Sequence, residues 1–169
     1  MSSIPASSTI LTAALNLTCS SEFTNQTGTQ AVAIRRLTTE WGEGASGAVA
    51  GIGGGTAAAN GEATWGEAFR NQVNWGTDGG DFIGTASASA NVTNVTSLNP
   101  QTFVWSTTGV TSTRADVQLW LDDSTQNHGW ILRAGEAAQT RTTKVFDSRT
   151  NATVGNRPRL VVNFRPPLP

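Results

Sequence analysis

The run at residues 159–164 constrains this chain most. Leu160, Val162 and Phe164 fall on one side of an extended backbone, and Arg159, Val161 and Asn163 fall on the other. A period of two places one row against a core and the other toward water, which is the signature of a half-buried β-strand. The same alternation runs through residues 9–19, where Leu11, Ala13, Leu15, Leu17 and Cys19 share a side. Residues 31–37, 85–93, 102–106, 128–134 and 143–148 also read as strands, separated by turn residues such as Asn25, Gly28 and Asp78-Gly79-Gly80. About eight short strands joined by polar turns predict an all-β chain, a jelly-roll-like antiparallel β-sandwich.

One segment departs from the pattern. In residues 113–121, Val117, Trp120 and Leu121 stand at i, i+3 and i+4, and Thr113 with Asp116 resembles a capping box. This predicts the one short helix. The stretch 42–61 is rich in Gly and Ala and includes Gly51-Ile52-Gly53-Gly54-Gly55, so it reads as a long surface loop. It lacks the Lys-Ser/Thr of a phosphate-binding loop. Residues 63–69 and 72–75 carry aromatic content between turns. Residues 1–165 make a single domain, and Pro166-Pro167-Leu168-Pro169 is a proline-rich tail that stops the sheet.

Composition narrows the function classes. The net charge is −1 and only 14% of the 169 residues are charged, which disfavours nucleic acid as a partner. No apolar run approaches the ~20 residues of a membrane-spanning helix. The single cysteine, Cys19, lies on the apolar side of its strand and reads as a small buried hydrophobe. Lys is nearly absent, and Asn16, Asn25, Asn91, Asn94 and Asn151 each open an Asn-X-Thr sequon, so the surface chemistry reads as extracellular or cell-surface. The first residues show no export signal; such a signal is expected upstream of Met1.

Six tryptophans and no tyrosine set the choice of binding residues. Indole faces stack on the C–H faces of sugars, but large indoles more often fill cores. Trp105 and Trp130 lie in alternating strands, Trp120 shares a helix side with Val117, and Trp65 sits in an aromatic segment; these four are assigned to the core. Trp41 and Trp75 flank Gly-rich or polar turns and are the candidate platforms. Trp75 is favoured because Arg70, Asn74 and Asp78 are near it and offer hydrogen bonds to hydroxyls or carboxylates. Acidic residues come in near pairs: Glu40 with Glu43, Asp78 with Asp81, Asp122 with Asp123. On turns these suggest solvent-exposed groups or oxygen ligands, so Asp122, Asp123 and Asn127 are the first candidates for a structural Ca²⁺, the only cofactor in view. A catalytic set is hard to assemble with one histidine, His128, and no tyrosine.

Several motifs together resemble the DNRLRE, or disaggregatase-related repeat, domains. They are residues 3–6 (Ser-Ile-Pro-Ala), 36–44 (Arg-Leu-Thr-Thr-Glu-Trp-Gly-Glu-Gly), 63–65 (Ala-Thr-Trp), 116–121 (Asp-Val-Gln-Leu-Trp-Leu), 127–132 (Asn-His-Gly-Trp-Ile-Leu), 146–149 (Phe-Asp-Ser-Arg) and 157–160 (Arg-Pro-Arg-Leu). The resemblance implies a jelly-roll-like sandwich found in secreted or surface domains of bacteria and archaea. It also implies a non-catalytic polysaccharide-binding role. The alternative is a structural or adhesive domain that self-associates. Family members usually carry one or two strands before the Ile-Pro segment, and this chain begins at Met1. An exposed sheet edge is then expected, with homo-oligomer formation by strand pairing.

Overall fold

The structure is a computed structural model and describes residues 4–21, 28–46, 56–93, 95, 99–135 and 144–168. Residues 47–55 of the expected Gly-rich loop lie outside the described residues.

The chain is all-β and antiparallel, with one α-helix among the described residues. Strand β1 (Thr9–Ser21) is the centre of the first sheet. It pairs with β6 (Gln101–Ser106) on one side. On the other side it pairs with β9 (Arg159–Arg165) along its first half and with β8 (Val145–Phe146) at its end. The second sheet has the order β5 (Ala88–Val92), β2 (Gln30–Arg36), β7 (Trp130–Ala134). A two-stranded hairpin of β3 (Glu67–Phe69) and β4 (Val73–Asn74) stands apart from both. Its turn uses Asn71 at φ 59, a left-handed conformation that Asn tolerates better than most residues.

The two larger sheets meet across one apolar cluster. Leu17 and Trp105 come from the first sheet, and Val32, Ile34, Ala88 and Val92 from the second. The side chain of Trp105 is fully buried, and its Nε1–H donates to the Val32 carbonyl at 2.7 Å, so one indole bridges the layers. Cys19 is buried, as its position in the alternation requires.

Helix α1 (Thr113–Asp122) closes the other end. Val117 and Trp120 pack on Ile10 and Ala13 of β1, with Val162 and Phe164 of β9 beside them. Val162 and Phe164 of β9 therefore turn inward as the alternation specifies, while Leu160, the first of that row, is exposed. Two local expectations fail here. The cap is Ser112, whose hydroxyl accepts from the Ala115 amide at 3.0 Å; Thr113 instead donates to the Ala13 carbonyl at 2.8 Å, and Asp116 is buried. And β1 does not keep its period to its start. The ladder with β9 slips between Ile10 and Thr12, so Ile10 is buried while Leu11 stands 48% exposed. Such a bulge moves one residue out of the pleat. Gln118 of α1 accepts from the Ile10 amide at 2.8 Å and so fixes the bulge in place.

Candidate functional site

The β3–β4 hairpin and its flanking loops lie against β7 and the end of β2. Backbone bonds hold them there: Gly42 N donates to Ala68 O (2.9 Å), Ala63 N to Gly42 O (2.9 Å), Thr38 N to Asp81 O (3.0 Å) and Ile83 N to Arg36 O (2.9 Å). Leu37 bridges to Phe82 in antiparallel register. Between the hairpin and β7 is a cavity of about 440 Å³. This lies within the range of small-ligand sites.

Four indoles line its walls. Trp41, Trp65, Trp75 and Trp130 all line it, with Leu37, Ile131 and Leu132 completing the apolar surface. Successive side chains on a strand point to opposite faces, so a cavity touching Trp130, Ile131 and Leu132 together must run along the long edge of β7. Strand β7 is the last in its sheet, and no outer strand pairs with it among the described residues.

Three of the four indoles are anchored through Nε1. Trp41 donates to the His128 carbonyl at 2.9 Å, Trp75 to the Thr64 carbonyl at 2.9 Å, and Trp130 to Asp116 Oδ2 at 2.6 Å. Trp65 differs. It is 61% exposed, and its Nε1 has no acceptor among the described residues. It is nonetheless held in position. A Cβ on Gly79 would stand 2.9 Å from its six-membered ring, so the indole rests flat against that glycine, whose φ of +90 suits no other residue as well. Gly79 N donates to Trp65 O at 2.7 Å.

A carboxylate closes the base of the long loop. Glu62 accepts from the amides of Ala45 (2.7 Å), Ser46 (2.9 Å) and Ala59 (2.7 Å). The Ser46 hydroxyl foremost, then these amides, lowers its pKa from the ordinary 4.5 to about 2. Residues 45 and 59 are thus clipped together on either side of the undescribed segment. Gly42 passes so close to Gly61 that a Cβ would sit 1.6 Å from the Gly61 carbonyl oxygen.

The sequence-derived candidates divide. Trp41 and Trp75 line the cavity; Arg70, Asn74 and Asp78 do not. The backbone of Arg70 is tied into the hairpin, donating to Glu62 O at 2.8 Å and accepting from Gly61 N at 3.0 Å, while Asn74 and Asp78 are exposed beside it. Trp65, assigned to the core from sequence, is the most exposed of the six indoles, because its neighbours are Thr64 and Gly66 rather than an alternating apolar row. Trp130 belongs to both places: it packs against both core clusters, 4.4 Å from Trp120, and also lines the cavity. A signal for this division was present. Trp41, Trp65 and Trp75 are each followed by Gly, and Trp105, Trp120 and Trp130 are not.

The candidate Ca²⁺ ligands serve the chain itself. Asp123 Oδ1 accepts from the Thr125 hydroxyl (2.6 Å) and amide (3.0 Å), bonds led by the hydroxyl that hold its pKa below the usual carboxylate value. Asp122 accepts from Gln118 at 2.9 Å, and Asn127 ends the following 3₁₀ turn. Among the described residues no three His, Cys, Asp or Glu side chains gather as a metal site. Of the other acidic pairs, Asp81 accepts from the Gly76 and Thr77 amides at 2.9 and 3.0 Å, and Glu43 pairs with Arg149.

Compared with protein-family models, curated proteins and solved structures, the chain matches none.

Proposed function

We propose that this protein is a non-catalytic polysaccharide-binding module that works outside the cell or at its surface, folded as a jelly-roll-like β-sandwich. The observation that carries the proposal is the row of indoles along β7, with Trp65 projecting 61% exposed beside the half-buried Trp75 and Trp130. A pyranose ring has apolar C–H faces and polar rims. It stacks on an indole with its hydroxyls left for water or for a donor such as the Trp65 Nε1–H. Three anchored indoles make the cavity a preformed one, so little ordering entropy is lost on binding. What supports a non-catalytic role is the lining, in which no side chain titrates: hydrolysis of a glycosidic bond requires an acid and a base across the bond. The DNRLRE resemblance adds only what its quoted motifs carry.

Affinity electrophoresis through gels containing alginate, pectin, chitosan or neutral glucans tests this reading. Retardation in at least one gel, with no new reducing ends after long incubation, is the expected outcome. Unretarded migration in all of them, or release of reducing ends, defeats it.

A second reading has its own support. The outer long edge of β7 is unpaired among the described residues, and Val104 and Val161, on the outer side of the first sheet, are 51% and 39% exposed. A structural domain that self-associates would use such an edge or face. Light scattering at high concentration separates the two: stable oligomers without glycan retardation favour self-association.

A further inference from the structure

We infer that the polysaccharide is acidic, and that Arg35 and Arg133 bind its carboxylate or sulfate groups while the indole cavity holds the sugar ring. This rests on the binding reading above and names the class of polymer.

Arg35 on β2 and Arg133 on β7 lie on the outer side of the second sheet, opposite the inward Ile34. Both guanidinium groups lie over the ring of Phe82, at 5.7 and 4.8 Å from its centroid. Neither has a carboxylate partner among the described residues, whereas Arg36 pairs with Asp116 and Arg149 with Glu43. Two cations held against one aromatic ring, with no carboxylate beside them among the described residues, form a positive site suited to an anionic group. Asp81, the residue before Phe82, directs both oxygens to the Gly76 and Thr77 amides and to Thr39.

There is room for a ligand group there. A shallow pocket of about 360 Å³ is floored by Ala31 and Ala33 and walled by the two arginines. The small side chains leave the sheet surface low, so a planar carboxylate can meet a guanidinium edge with two parallel hydrogen bonds.

The two sites are neighbours along β7. Ile131 lines the indole cavity and Arg133 the arginine pocket, and they are alternate residues of β7. Side chains two apart on a strand are about 7 Å apart on the same face. One extended chain lying along β7 therefore meets stacking surface and positive charge in succession. A neutral polymer uses only the first.

The test titrates the protein with polygalacturonate, dextran sulfate and a neutral galactan by calorimetry at two salt concentrations, using wild type, Arg35→Gln/Arg133→Gln and Arg35→Lys/Arg133→Lys. The expected result is binding to at least one acidic polymer that weakens with salt and falls about tenfold or more in the Gln variant, with the Lys variant intermediate. Carboxylate and sulfate are separated by which acidic polymer binds. Equal affinity for neutral galactan, or acidic binding unchanged in the Gln variant, overturns the inference while the binding reading stands. Silence toward all three polymers, together with unretarded migration on every gel above, overturns both. Loss of the stacking on Phe82 lowers the unfolding temperature of the Gln variant slightly, and the Lys variant, which keeps a cation over the ring, controls for any loss of fold.

Discussion

Trp130 donates its indole N–H to Asp116 Oδ2 at 2.6 Å, and through this bond the wall of the cavity is fastened to helix α1. Asp116 is buried, and its other oxygen lies 3.2 Å from Arg36 Nε at the end of β2. One carboxylate therefore joins the helix, β2 and the edge strand β7. Removing it leaves a largely buried guanidinium unpaired and the indole without its acceptor. Asp116→Ala is expected to cost about 3–5 kcal/mol, read from the urea midpoint. Asp116→Asn keeps an acceptor for Trp130 and loses less.

The indoles differ in what they contribute to stability, in step with their burial. Trp105→Ala empties a fully buried site and removes the bridge to Val32, and should cost about 3–5 kcal/mol. Trp65→Ala should change stability by no more than about 0.5 kcal/mol, as surface substitutions do. It should also abolish glycan retardation. Trp75→Ala falls between them, because it gives up a hydrogen bond to Thr64 that contributes about 1 kcal/mol. Thermal unfolding of the three variants on one buffer scale checks the ranking.

Much of the fold follows from period alone. The alternation in β1, β6 and β9 placed Leu17, Trp105, Val162 and Phe164 inward, and the spacing of Val117 and Trp120 placed α1. What period cannot show is a slip. Leu11 reads as inward because the rule counts in twos, and a bulge held by Gln118, distant in sequence, hands that place to Ile10. The cap moved to Ser112 for a similar reason: the carboxylate of Asp116 is drawn to Arg36 and Trp130, contacts that exist only after folding. In the site, Trp41 and Trp75 were legible from their turns. Trp65 was hidden by its aromatic surroundings, although the Trp-Gly pair it shares with them marked it. The arginine pair was not legible, because Arg35, Phe82 and Arg133 meet only through sheet pairing.

Gly79 and Gly42 carry the geometry of the indole wall. Gly79→Ala strains a backbone at φ +90 and drives a methyl into the Trp65 ring. The expected loss exceeds about 1 kcal/mol, with a red-shifted, more quenchable indole emission as Trp65 is displaced. Gly42→Ala cannot coexist with the Gly61 carbonyl in its present place. It should break the Gly42–Ala68 pairing and lower the unfolding temperature further than Gly79→Ala.

Acid should loosen the loop base. Glu62 titrates at about 2 in the folded chain against an ordinary 4.5, so the fold favours its ionised form. That stabilisation is fully present above about pH 4.5 and is lost as pH falls toward 2. The difference in unfolding temperature between wild type and Glu62→Gln should therefore be largest near pH 6 and shrink steadily below pH 4.5. A difference that stays constant down to pH 2 would show that the carboxylate does not clip the loop.

The most direct measurement of the central claim follows the six indole N–H resonances by ¹⁵N-correlated spectroscopy while an acidic oligosaccharide is added. The account predicts that Trp65, Trp41, Trp75 and Trp130 shift in a saturable way, Trp65 most, while Trp105 and Trp120 stay in place. Six stationary resonances at saturating polyuronate and sulfated oligosaccharide, or shifts confined to Trp105 and Trp120, would contradict it.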